Sequence, residues 1–133
     1  MSETKSPSNR NNGARLKIQT RLMLDDEIAF GPGKADLLNA IAATGSISAA
    51  AKQLGMSYRR TWLLVDTMNR CFQHPLVETA TGGAQGGGAR VTEAGIDLLK
   101  RYRQLQADIL AASNKHLAEL KPLLRKKPLP SAT

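Results

Sequence analysis

The stretch Ser46-Ile-Ser-Ala-Ala-Ala-Lys-Gln-Leu-Gly-Met-Ser-Tyr-Arg-Arg60 decides the fold. Ser46 is placed to cap a helix that starts at Ile47, and Gly55 ends it. Only Met56 separates that glycine from a second cap, Ser57, which opens a helix running from Tyr58 to about Phe72. Ala51 gives the first helix a small side chain where the second must cross it closely, and Gly55 gives the tight turn. Two capped helices joined in this way predict a helix-turn-helix. Its second helix points its first residues outward, as major-groove readers do.

Upstream, Leu16, Ile18, Thr20, Leu22 and Leu24 alternate with Lys17, Gln19, Arg21 and Met23, and period two predicts a half-buried strand over 16–24. Asp25-Asp26-Glu27 reads as a turn into a short second strand at Ile28-Ala29-Phe30. Gly31-Pro32-Gly33 then punctuates, with Pro32 suited to a first helical position. Leu37, Leu38 and Ile41 form one face of a helix that stops at Gly45.

Downstream, Thr61, Val65, Met68 and Phe72 lie on one stripe, and Pro75 closes that helix. Two β-like runs, 76–79 and 89–92, flank a glycine-rich loop at 81–88 and read as a wing. Gly83 and Gly88 have the spacing of a phosphate loop, but Ala89-Arg90 stands where Lys-Ser/Thr is required, so that reading fails. A last helix runs from Thr92 or Glu93 to about Leu120, with Leu98, Tyr102, Leu105, Ile109, Ala112 and Leu117 at roughly three-four spacing. A helix of that length outruns one small core, so the stripe predicts pairing with a second copy; the plainer alternative is a helix folded back on its own domain, with Tyr102 and Leu105 covering the N-terminal strand.

The fold class is therefore mainly α with small β-hairpins: a winged helix-turn-helix with a long C-terminal dimerisation helix. Residues 1–15 are expected to be a disordered tail, 16–121 the winged domain and 122–133 a basic flexible tail.

Composition narrows the function. A chain of 133 residues with 41% hydrophobic content holds one domain, and no apolar run approaches the ~18 residues of a membrane span. No secretory leader is visible, and Cys71 stands alone, so a cytoplasmic protein is expected. Cys71, His74 and His116 cannot complete a structural zinc site. No Ser-His-Asp or Cys-His set is readable, so neither an enzyme nor a cofactor is expected. The net charge of +8 favours a polyanionic partner, although most of it sits on the tails.

The expected partner is double-stranded DNA. Ser57, Tyr58, Arg59 and Arg60 open the recognition helix, where arginine reads guanine edges and a serine-capped N-terminus receives phosphate. Ser46, Ser48 and Lys52, on the preceding helix, are phosphate candidates, as is Arg90 in the second wing strand. Leu98, Tyr102, Leu105, Ile109 and Leu117 are the expected dimer contacts. Plainer readings compete: Arg59 and Arg60 as a solvated pair, Trp62 as packing at the core edge, Cys71 as an inert buried thiol, His74 as a helix-terminus residue. The rival class is a winged-helix adaptor that docks proteins and does not bind DNA.

Several strings are more specific. Phe30-Gly-Pro-Gly-Lys34, Thr44-Gly-Ser-Ile-Ser-Ala-Ala-Ala51, Leu54-Gly-Met-Ser-Tyr-Arg-Arg-Thr-Trp-Leu-Leu-Val-Asp66 and Thr81-Gly-Gly-Ala-Gln-Gly-Gly-Gly-Ala-Arg-Val-Thr-Glu-Ala-Gly95 resemble the N-terminal domain of the ModE molybdate-responsive transcription regulators. The helix-turn-helix also resembles that of LysR-type regulators. The resemblance covers about Leu16 to Leu110. It implies a dimeric winged-helix DNA-binding domain paired through its long C-terminal helix, with recognition residues at Ser57, Tyr58, Arg59 and Arg60. RNA polymerase or a separate effector-sensing protein is a further expected partner, and no membrane is. Members of that family carry C-terminal oxyanion-binding domains, and this sequence stops at Thr133 without them, so an oxyanion sensor is not expected within it. The wing segment Glu78-Thr79-Ala80 also lacks the basic residues many members carry there.

Overall fold

Asp25 adopts a φ of 52°, a left-handed conformation that aspartate tolerates better than most side chains, and the chain reverses there. The turn joins β1 (Leu22–Leu24) to β2 (Glu27–Phe30), with Leu24 opposite Glu27 and a bulge between Leu22 and Met23. The computed structural model describes residues 13–80 and 88–132. The expected N-terminal tail up to residue 12 and the wing tip at 81–87 lie outside the described residues.

Then come α1 (Pro32–Thr44), α2 (Ile47–Leu54), α3 (Tyr58–Cys71), the hairpin of β3 (Val77–Ala80) and β4 (Gly88–Val91), and α4 (Glu93–Leu120). The two strand pairs form separate two-stranded antiparallel sheets. The molecule is thus mainly helical with two small hairpins, a winged helix-turn-helix with a long last helix. The described chain divides into two compact units, Gln19–Gln106 and a second formed by residues 13–18 with 107–132.

The first unit holds the core. Phe30, Leu37, Leu38, Ile41, Val65, Met68 and Leu76 are all but fully buried. Phe30 is the hub: Tyr102 meets it edge-on at 5.0 Å between ring centroids, and Phe72 at 6.5 Å. Burying an aromatic or aliphatic side chain of this size contributes roughly 1.5–3 kcal/mol. Asn69, near the end of α3, ties the wing to this core. Its Oδ1 accepts from the N–H groups of Leu76 and Val77 at 2.8 and 3.2 Å, and its Nδ2 donates to the Val77 carbonyl at 3.0 Å. Thr92 opens α4, its Oγ1 accepting from the Gly95 N–H at 3.1 Å and donating to the Pro75 carbonyl at 2.7 Å.

The strand expected over 16–24 is shorter than its alternation implies. Only Leu22–Leu24 pair, and all three are exposed. The partner explains it: Leu22 lies opposite Phe30, and two residues later Pro32 starts α1, so nothing remains to pair with residues before Leu22. In the second unit α4 runs on to Leu120, and a single 3-10 turn, Lys121–Leu123, follows. The Leu124 N–H closes that turn on the Lys121 carbonyl at 3.0 Å, and the chain beyond it is exposed and irregular to residue 132.

Candidate nucleic-acid interface

Both caps form. Ser46 Oγ accepts from the Ala49 N–H at 3.0 Å, and Ser57 Oγ accepts from the Arg60 N–H at 3.1 Å. Between them Gly55 sits at φ 68°, and Met56 donates its N–H to the Ala51 carbonyl at 2.9 Å. A residue with a β-carbon resists that φ, which is why the sequence has glycine there. Ala50 and Ala51 are buried where α2 meets its neighbours. Thr61 is wholly buried, its hydroxyl donating to the Ser57 carbonyl at 2.8 Å, so the inner face of α3 starts one turn after the cap.

That inner face fixes the outer one. Tyr58, Arg59 and Arg60 are all exposed at the start of α3, and Lys52 is exposed on α2. Among the described residues no carboxylate pairs with Lys52, Arg59 or Arg60, so their donors face solvent. The two serines at the head of α2 are less free: Ser46 and Ser48 lie 3.1 Å apart, hydroxyl to hydroxyl, while Ser46 also caps the helix.

Trp62 departs from the expected packing role at the core edge. It is 36% exposed and meets Tyr58, itself 55% exposed, edge-on at 6.2 Å. The stripe through Thr61, Val65 and Met68 occupies the buried side, and Trp62 lies one residue off it, four after Tyr58. That four-residue spacing was the signal in the sequence, because such pairs meet on one helix face. Leu63, also exposed, extends this apolar surface beside Arg59. Cys71 is half-buried and His74 exposed.

The wing carries Arg90 directly opposite Glu78 in the β3–β4 register, and the two form an exposed ion pair at 2.6 Å. β4 is held against the helix-turn-helix by the Ala89 N–H, which donates to the Gly45 carbonyl at 2.9 Å. The wing base is therefore fixed to the turn between α1 and α2.

The stripe on α4 divides. Tyr102, expected at a dimer interface, is buried in the domain's own core, and its hydroxyl donates to the Thr20 carbonyl at 2.7 Å. Leu98 packs partly against the same core, alongside the buried Leu99. Tyr102 packs edge-on against Phe30 and Leu98 lies against the same core cluster, so the early turns of α4 belong to the domain's own core. Leu105 is 43% exposed, and Ile109 and Leu117 are half-buried.

Among the described residues there is no cluster of three or more His, Cys, Asp or Glu side chains able to hold a metal, and no helix long and apolar enough to cross a membrane.

Comparison with known proteins agrees with this geometry. Residues 34–96 match the bacterial regulatory helix-turn-helix family of the LysR type. The chain is 45% identical over 82 residues to the molybdenum-pterin-binding protein MopA of Rhodobacter capsulatus, covering 62% of this chain and 31% of MopA. It is 41% identical over 102 residues to the DNA-binding transcriptional dual regulator ModE of Escherichia coli, covering 72% of this chain and 37% of that protein. A molybdenum transport protein ModE of Herbaspirillum seropedicae is 47% identical over 70 residues, covering 53% of this chain and 26% of that protein. The chain thus spans between about a quarter and just over a third of the length of the curated relatives it matches.

Proposed function

We propose that this chain, whose residues 34–96 form a LysR-type regulatory helix-turn-helix similar to that of ModE proteins, is a sequence-specific DNA-binding transcription regulator acting as a homodimer. One observation carries the reading. The capped N-terminus of α3 presents Tyr58, Arg59 and Arg60 outward with no acidic partner among the described residues, on a helix whose opposite face is locked into the core. In this reading Arg59 meets a base edge in the major groove. Ser57 and Arg60 hold the flanking phosphates. Ser46, Ser48 and Lys52 contact the backbone on one side and Arg90 on the other. Bound protein then blocks or recruits RNA polymerase, and two copies paired through Leu105, Ile109 and Leu117 would address half-sites roughly 34 Å apart or a multiple of that.

A second reading, the protein-docking adaptor, is favoured by the apolar surface of Tyr58, Trp62 and Leu63 on the same helix. The two differ in salt dependence. Neutralising several phosphates makes binding fall steeply with salt, whereas an apolar docking patch is insensitive to it. The deciding experiment is selection of genomic fragments by the purified protein, followed by binding measurements at two salt concentrations. A recurrent motif bound with a steep salt slope supports the regulator. No enrichment over random fragments overturns it.

A further inference from the structure

At the start of α1 the chain leaves two amides without acceptors. Gly31 at the N-cap has no side chain to accept from them, and Pro32 has no N–H. Among the described residues the N–H groups of Gly33 and Lys34 find no acceptor, and the helix's first turn carries no acid. These amides border a cleft of about 440 Å³. A β-carbon placed on Gly33 would meet nothing within 4 Å, so the space above the first turn is open.

Lys34 lines the same cleft and is only 8% exposed. No carboxylate, carbonyl or hydroxyl among the described residues lies within hydrogen-bond or ion-pair distance of its ammonium. The Lys34 side chain is largely covered by its neighbours, and this desolvation holds its pKa below its ordinary value. Cys71 and Glu27 pull it upward from a distance, and Arg60 pushes it down again. Two more cations, Arg21 and Arg60, border the cleft, and among the described residues Asp36 is the one carboxylate on its wall. A partly desolvated cation, free amides and a cationic rim converge on one kind of ligand.

We infer that this cleft binds a single tetrahedral oxyanion, held by the Lys34 ammonium and the N–H groups of Gly33 and Lys34, with Arg21 and Arg60 closing over it. Arg60 belongs at once to the cleft and to the exposed start of α3, so an anion here neutralises the root of the recognition helix and fixes Arg60. Two sources share this chemistry: a free inorganic oxyanion, or a phosphodiester of bound DNA. The second source rests on the DNA-binding reading above, and the first does not.

Both sources are tested on the whole chain. Thermal unfolding is measured in inorganic phosphate and in chloride at equal ionic strength, for wild type, Lys34→Met and Arg21→Gln. Binding to a selected DNA fragment is then measured against salt for the same three proteins. A free anion raises the wild-type midpoint by roughly 2–5 °C in phosphate relative to chloride. Lys34→Met abolishes that increment while unfolding no earlier than wild type in chloride, and Arg21→Gln reduces it. A phosphodiester instead leaves the midpoints alike in the two salts and makes the log–log salt slope of DNA binding about one unit shallower in Lys34→Met. The proposal is overturned if neither the phosphate increment nor the slope change appears. It is also overturned if Lys34→Met and Arg21→Gln keep the full wild-type increment. If wild type binds no DNA, the regulator reading fails by itself, and the phosphate increment alone decides the cleft.

Discussion

Arg90 of the wing spends its guanidinium on Glu78, the residue directly across the hairpin, with Nη2 to Oε1 at 2.6 Å. The pair is exposed, so it contributes at most about 1 kcal/mol to stability. In the proposed complex its larger effect is on binding, because a DNA phosphate at Arg90 would compete with Glu78 for the same donors. Glu78→Gln is expected to tighten DNA binding several-fold at low salt and steepen the salt slope. Arg90→Ala is expected to weaken all sequences alike and flatten the slope by about one unit. Titrations across 50–200 mM salt check both. An unchanged slope in both variants removes the wing base from the interface.

Arg59 is expected to behave differently, since it stands on the outer face of α3 without an acidic partner among the described residues. Arg59→Ala should cost ~1–3 kcal/mol at the selected site and relax preference at one base position. Competition against single-base variants of the site measures it. Equal losses on every sequence would place Arg59 on phosphate.

Gly95 supports the wing and α4 together. A β-carbon there would lie 2.6 Å from Val91 Cγ1 and 2.7 Å from the Leu76 carbonyl oxygen, and the carbonyl belongs to backbone that cannot swing away. Gly95→Ala is therefore expected to destabilise the fold by roughly 1–3 kcal/mol. Urea unfolding reads the loss as a lower midpoint. A midpoint equal to wild type would mean that the wing root moves freely.

These cases show which features the sequence made legible. The helix-turn-helix was readable because its signals are local: Ser46 and Ser57 bond amides three residues on, and Gly45 and Gly55 take the positive φ each helix end needs. The alternation over 16–24 misled because a strand needs a partner, and β2 ends at Phe30. Tyr102 and Leu105 could not be separated by spacing, which assigns a face and not what covers it. Lys34 was hidden for a related reason. Its setting appears only where the segment of Arg21, the start of α3 and the head of α1 border one cleft.

The α4 stripe yields the last prediction, sharpened by that division. Tyr102 is bound to the core of its own domain, so Tyr102→Phe should cost about 1 kcal/mol of stability for the lost bond to Thr20 and leave the molecular mass unchanged. Leu105, Ile109 and Leu117 continue the stripe beyond it, with Leu105 exposed. In the proposed dimer this ridge is covered by pairing about a two-fold axis. Replacing Leu105 and Ile109 together by Asp is expected to give monomers in sedimentation, a retained helical signal in circular dichroism and loss of tight binding to the selected DNA. Tyr102→Phe is the control that separates core from interface, since it perturbs the same helix without charging the ridge. A wild-type protein that already sediments as a monomer at tens of micromolar would refute pairing through α4, and so would a dimer whose mass survives both aspartates.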